Sequence, residues 1–297
     1  MRKNQTVQGY IFVIASAIIF GCMPLMAKLI YAEGVNPISL VFLRSLLSIP
    51  MLAVAAKLSG NSLKISSRAL PSVSIIALMG CCITPLLLFS SYQYIDSGTA
   101  TVFHFIYPAV VVLLGIVFLK NKVKTGNLIS LLICVVGVCF FYTPGESFSL
   151  WGSGIALLSG VTYAVYIVLL AGFRYKELSG FVFSFYVAVV CSVVMLIVCL
   201  CSGQLALPVT FKGWWLCVLF AFAINVGAVV LFQKGTFLIG GERASILSTF
   251  EPITSVFTGV IVFHEAISWQ TVLGSVLVIS ASILIAVLDM HDKKEGK

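Results

Sequence analysis

The chain has 297 residues, 60% of them hydrophobic and only 9% charged, with a formal net charge of +8. A soluble domain carries about 25% charged residues, so this composition marks an integral membrane protein and excludes a water-soluble enzyme or regulator. The basic residues stand singly or in small groups between apolar runs, which is the distribution of cytoplasmic membrane loops and excludes a nucleic-acid partner.

Taken in order, the first stretch, MRKNQTVQGYIFVIASA, has the form of a signal peptide as far as Ala15 and Ala17. Its apolar run continues to Leu29, however, and reads as a first transmembrane helix. Apolar runs bounded by charge or turn residues predict ten helices, over 9–30, 38–57, 71–93, 98–119, 126–143, 151–172, 180–202, 212–233, 241–262 and 269–288. Each has about 20 residues and spans about 30 Å, the thickness of the hydrocarbon core. The joining loops are short, and no linker or soluble domain interrupts them. Nine cysteines all fall inside apolar runs, without Cys-x-x-Cys or Cys/His ligand spacing. They read as small buried hydrophobes, and no metal or other cofactor is expected.

Orientation follows from lysine and arginine. With the N-terminus cytoplasmic, every basic residue except Lys28, Arg44 and Lys212 falls on the inside, while the outer loops hold Glu33, Asp96, Glu146 and Glu265. Both termini are therefore expected in the cytoplasm, with the protein multi-pass in the plasma or inner membrane. Lys28 and Arg44 lie towards the outer side. Arg44, about two turns into the second helix, is placed shallow enough to snorkel outward, and either residue could instead attract an anionic solute.

The two halves look like repeats. At an offset of 144, Ala100, Pro108, Val112 and Gly115 meet Ala244, Pro252, Val256 and Gly259; at 143, Gly9 and Ser16 meet Gly152 and Ser159. The small-residue pair Ala17/Gly21, which lets helices approach closely, falls on Gly160/Ala164. Five helices per half is an odd number, so the second half must be inserted upside down. The expected fold is an all-α integral membrane protein of ten transmembrane helices in two inverted five-helix repeats, residues 1–143 and 144–297. Inverted repeats are the architecture of alternating-access carriers.

The ninth helix carries Glu251-Pro252 near its middle and the fourth carries Tyr107-Pro108 at the matching place. Proline interrupts the helical ladder, so Pro108 and Pro252 are candidate hinges. A carboxylate at that depth costs about 3 kcal/mol to insert and normally faces a partner or a water-filled cavity. Ser245, Ser248 and Glu251 share one face of the ninth helix with Thr254, Ser255 and Thr258; Thr101, His104 and Tyr107 are their repeat mates on the fourth. A single Ser or Thr is explained by bonding to its own helix's carbonyls. Two matched stripes point to a shared cavity. Glu251 then serves a solute or proton pathway, the bland alternative being a structural ion pair with a basic residue of another helix. His104 either carries a proton or simply hydrogen-bonds. Asn225 of the eighth helix, Tyr163 and Tyr166 of the sixth and Tyr92 of the third complete the candidate pathway set, although an aromatic near a helix end is commonly only an anchor. Nucleophile elbows, metalloprotease motifs and phosphate-binding loops are absent, so no enzymatic activity is expected.

The runs from Ala100 to Pro108 and from Ala244 to Pro252, with Phe263-His264-Glu265-Ala266-Ile267-Ser268-Trp269-Gln270 followed by Gly274, resemble the drug/metabolite transporter superfamily of the EamA type. The likeness spans about residues 9–288. The first half departs from it at Asn121, where an acidic residue often stands, and at Ser130, where glycine is expected. The resemblance implies a secondary carrier of small metabolites such as amino acids or related zwitterionic or cationic solutes, often an exporter. It also implies a central cavity lined by the third, fourth, eighth and ninth predicted helices with the first and sixth. An uptake permease or a facilitative channel is the alternative reading. Partners are the lipid bilayer, a small-molecule substrate and, as a candidate coupling ion, protons; the chain is expected as a monomer or homodimer.

Overall fold

The computed structural model describes residues 2–107, 109–111, 113–114, 125–126, 129, 132–133, 136–137, 140, 149–173, 178–239, 244, 247–248, 250–263 and 268–295. The helices before the midpoint are α1 (Arg2–Gly21), α2 (Met23–Tyr31), α3 (Pro37–Leu58), α4 (Leu70–Ala77), a π segment (Leu78–Ile83), α5 (Thr84–Ser91) and α6 (Ser97–His104). After it come α7 (Leu150–Ala171), α8 (Gly180–Ser202), α9 (Phe211–Phe220), a second π segment (Ala221–Ala228), α10 (Val229–Ile239), α11 (Phe250–Phe263) and α12 (Trp269–Glu295). Among the described residues there is no strand. Among the described residues, six continuous helical stretches are long and apolar enough to cross a bilayer: Thr6–Tyr31, Pro37–Leu58, Leu70–Ser91, Leu150–Leu170, Gly180–Ser202 and Phe211–Thr236. The predicted helix over 126–143 lies mostly outside the described residues.

Capping chemistry places several of these boundaries. The side chains of Asn36, Ser149 and Thr210 accept from the amides of Ser39, Gly152 and Gly213, satisfying donors that the first turn leaves open. Pro24 has no amide to offer Phe20, and the chain turns at Cys22 between α1 and α2. The outward faces carry Ile11, Val54, Val193, Leu200 and Phe257, all more than half exposed. Side chains of that kind require lipid rather than water around them.

The helices pack across the chain midpoint. α1 lies along α10 and α11, α7 along α5 and α6, α3 along α8, and α6 against α11. Small residues make the closest approaches. A Cβ on Gly21 would stand 2.7 Å from the Glu251 carbonyl oxygen, and one on Gly160 would stand 2.5 Å from that of His104. The two notches that repeat-matched in sequence thus each receive a broken helix of the other half.

Both predicted interruptions are present, but upstream of the prolines. α6 ends at His104, Phe105 and Ile106 form a turn, and the Ile106 amide bonds the Phe103 carbonyl at 3.3 Å. In the ninth predicted helix the turn falls at Ser248, and the Glu251 amide bonds the Ser248 carbonyl at 2.9 Å. Pro252 therefore sits in the first turn of α11, where a missing amide is tolerated. Pro108 lies outside the described residues.

One end of the assembly is tied by a polar cluster between the α2–α3 and α8–α9 loops. Lys212 stands 3.1 Å from Glu33, and the Thr210 hydroxyl donates to the other Glu33 oxygen. The Asn36 side chain donates to the Gln204 carbonyl at 2.6 Å, and the Ala206 amide donates to Ser39 Oγ at 2.8 Å. The Thr210 hydroxyl, and after it Lys212, hold the Glu33 carboxyl below the usual carboxylate range.

Candidate functional site

Two helices that should be regular from their apolar sequences instead carry π segments, which begin 143 residues apart at Leu78 and Ala221. In such a turn the backbone pairs one residue further along, which loosens the ladder and turns groups away from the helix axis. The first segment turns the Cys81 carbonyl towards α3 and α8, where it accepts from Arg44 Nη2 at 3.1 Å and from the Cys191 thiol at 3.1 Å. The Thr84 hydroxyl donates five residues back to the Met79 carbonyl at 2.7 Å and pairs with Thr162 at 2.8 Å. The second segment presents Asn225, whose amide donates to the Arg44 carbonyl at 2.9 Å and to Ser48 at 3.1 Å.

Between these segments and the two helix breaks lies a cavity of about 60 Å³, walled by Arg44, Gly80, Cys81, Thr84, His104, Tyr163, Tyr166 and Glu251 with an apolar floor that includes Phe20, Leu88 and Phe232. About 10–15 Å³ holds one water-sized group, so the space admits a small polar solute head. Absence of a side chain at Gly80 brings Tyr166 into the wall; a Cβ there would stand 2.2 Å from the Tyr166 ring.

Glu251 is 7% exposed. Among the described residues no lysine or arginine lies within ion-pair distance of it, so the structural ion pair weighed from sequence has no partner there. His104 is buried, with Nδ1 2.8 Å from the Ser159 hydroxyl. Ser159 itself donates to the Ala156 carbonyl, so in this arrangement it accepts from a His104 Nδ1–H. The His104 ring stands 5.1 Å from Tyr163, which meets Tyr107 edge-on at 4.8 Å and stacks on Tyr166 at 5.4 Å. Such pairs add about 0.5–1.5 kcal/mol each beyond burial and hold the wall rigid.

The expected stripes do meet. Thr101 of α6 and Ser255 of α11 share a hydrogen bond of 3.0 Å, and both are buried. Of the candidate pathway residues, His104, Tyr163, Tyr166 and Glu251 line the cavity, while Thr101, Tyr107 and Ser248 are buried behind it. The Ser248 hydroxyl is spent on the Ala244 carbonyl at 2.9 Å. Asn225 and Tyr92 stand apart from the cavity lining. Asn225 serves α3, and Tyr92 packs against Phe89 at 6.0 Å. Ser245 lies outside the described residues.

Arg44 is the residue whose orientation the sequence leaves open. Read from sequence either as snorkelling outward or as attracting an anionic solute, it is 4% exposed and turned into the cavity wall, its guanidinium 5.7 Å from the Phe89 ring centre. Depth along a helix can be read from spacing, whereas rotation about the axis depends on the neighbours. Here the carbonyl released by the π segment draws it inward.

A family model described as EamA-like transporter family matches residues 7–143 and again 150–287. An uncharacterized transporter of Clostridium kluyveri is 24% identical over 295 residues, covering 93% of this chain and 92% of its own. The uncharacterized inner membrane transporter YicL of Salmonella typhimurium is 25% identical over 308 residues, covering 95% and 96%. A crystal structure of a protein superposes on 97% of this chain and 98% of its own with TM-score 0.65 at 17% identity, a likeness of fold alone.

Proposed function

The chain belongs to the EamA-like transporter family, and from that premise we propose that this multi-pass membrane transporter is a secondary active carrier that exports amino acids or related zwitterionic or cationic solutes by alternating access. The observation that carries the reading is Glu251, a buried carboxylate with no lysine or arginine within ion-pair distance among the described residues, facing a cavity beside a helix break. A carboxylate so placed suits binding a cationic group or a proton on one side and releasing it on the other. The titratable and charged groups that share the cavity with it are Arg44, Cys81, His104, Tyr163 and Tyr166.

The proposed architecture is ten helices in two inverted repeats, residues 1–143 and 144–297. The paired family matches, the paired π segments and the cross-packing of the two halves support it. Both termini are proposed to be cytoplasmic from the lysine and arginine asymmetry; a cysteine at Asn61 should then be labelled only after the cells are permeabilised.

The test is counterflow in proteoliposomes, with labelled amino acids outside and unlabelled ones inside. A carrier accumulates label transiently through trans-stimulation; simple equilibration with no trans-stimulation would reject alternating access. In the same assay Glu251→Gln, nearly isosteric but unable to titrate, should fold and lose pH-dependent transport, and a wild-type pH profile in that variant counts against the role given to Glu251.

A further inference from the structure

We propose that Arg44 receives the anionic group of the transported solute, so that the cavity is a two-pole site with Arg44 at one pole and Glu251 at the other. The inference rests on the reading of this cavity as the substrate site. It narrows the ligand to a small solute carrying a carboxylate together with an amino or other cationic group.

Arg44 is the eighth residue of α3 and is 4% exposed, so its charge is not returned to the membrane surface. A guanidinium has five N–H donors. Nη2 gives one to the Cys81 carbonyl, and Nε is buried with no hydrogen-bond partner among the described residues. Among the described residues no carboxylate lies within ion-pair distance. The Phe89 ring and one carbonyl hold the group in place, but neither neutralises it. An arginine kept for stability alone is expected to be paired, because a lone buried charge is expensive. The protein instead fixes the backbone behind this side chain, through Asn225 and Ser48, and leaves the fork facing the cavity.

Glu251 enters the same cavity from α11, also without an ionic partner among the described residues. A guanidinium and a carboxyl group that share a cavity without touching match a ligand that carries both signs. A purely cationic solute would satisfy Glu251 and be repelled by Arg44. The planar guanidinium matches a carboxylate with two parallel hydrogen bonds, which lysine cannot reproduce.

The test compares three probe mixtures on the purified protein in detergent, read as thermal stabilisation: free amino acids, their amides, which keep only the cation, and their N-acetyl derivatives, which keep only the anion. The wild type should respond to the free amino acids at concentrations at least about tenfold lower than to either derivative. Arg44→Lys keeps the charge but loses the fork, and should lose about tenfold or more of its response to free amino acids while responding to the amides as before. An unchanged response to free amino acids in Arg44→Lys, or equal wild-type responses to amides and free amino acids, overturns the assignment of Arg44 and leaves the carrier reading standing on Glu251. No response of the folded wild type to any mixture overturns the carrier reading as well. Should Arg44→Lys fail to fold, the wild-type ranking of the three mixtures decides alone.

Discussion

The contact between Gly160 and the broken end of α6 can be tested within one helix. A Cβ added at Gly160 would stand 2.5 Å from the His104 carbonyl oxygen and 2.8 Å from Ile106 Cγ2, whereas one added at Gly154 meets nothing within 4 Å. Both glycines lie in α7 and both would gain the same helix propensity on replacement by alanine, about 1 kcal/mol at most. Propensity therefore cancels in the comparison of Gly154→Ala with Gly160→Ala, and the difference reports the contact. Backbone on one side and a β-branched side chain on the other cannot withdraw without moving the Phe105–Ile106 turn. Overpacking of this kind costs about 1–3 kcal/mol. Unfolding free energies of the two purified variants should thus differ by about 1–3 kcal/mol, with Gly154→Ala at or above the wild type. Gly160→Ala should also transport more slowly, since the displaced turn carries His104 on the cavity wall. Two variants equal to within about 0.5 kcal/mol would show that α7 does not press on the break, and the account of the α6 turn given above would fail with it.

The Glu33 cluster should weaken in acid. Because Thr210 and Lys212 lower the folded Glu33 value, its stabilising effect is present above the unfolded carboxyl value of about 4.3 and is lost as the pH falls through the folded one. Glu33→Gln should flatten the thermal midpoint against pH in that window, and an unaltered profile would remove Glu33 from the tie. Pro252→Ala supplies an amide that can reach the Ser248 carbonyl and close the break. The variant should stay folded yet turn over more slowly; wild-type kinetics would end the hinge argument.

Much of the fold is legible in the sequence because lipid imposes a length. The predicted 180–202 is Gly180–Ser202, the predicted 38–57 is Pro37–Leu58, and the predicted 151–172 is Leu150–Ala171. Charge does not set every end: α10 continues past Lys234 to Ile239 and α12 runs on through the charged tail to Glu295, since a helix keeps its ladder beyond the apolar region. His104, Tyr163, Tyr166 and Glu251, which line the cavity, are candidates from sequence because polar or aromatic groups deep in an apolar run need a reason. Asn225 is a candidate for the same reason, yet its amide is committed to α3. Three features had no such signal. The π segments lie in LMGCCI and AFAINVGA, strings whose composition suits an ordinary helix, and only packing reveals the looser turn. The inward rotation of Arg44 follows from one of those turns. The break at Ser248 precedes Pro252 because proline without an amide opens the next helical segment as readily as it ends the previous one.

The π segments also constrain how this chain can change over generations. Removing one residue within 78–83 would let the ladder close as an ordinary α-helix, and one residue is about 100° of rotation. Thr84, Pro85 and Leu88 would then swing off the cavity, although composition and hydropathy would hardly alter. A single-codon deletion there, or in 221–228, is therefore a change of helical phase that a profile of apolar residues would not register. The same deletion in the Gly203–Thr210 connection would leave every wall residue on its own face.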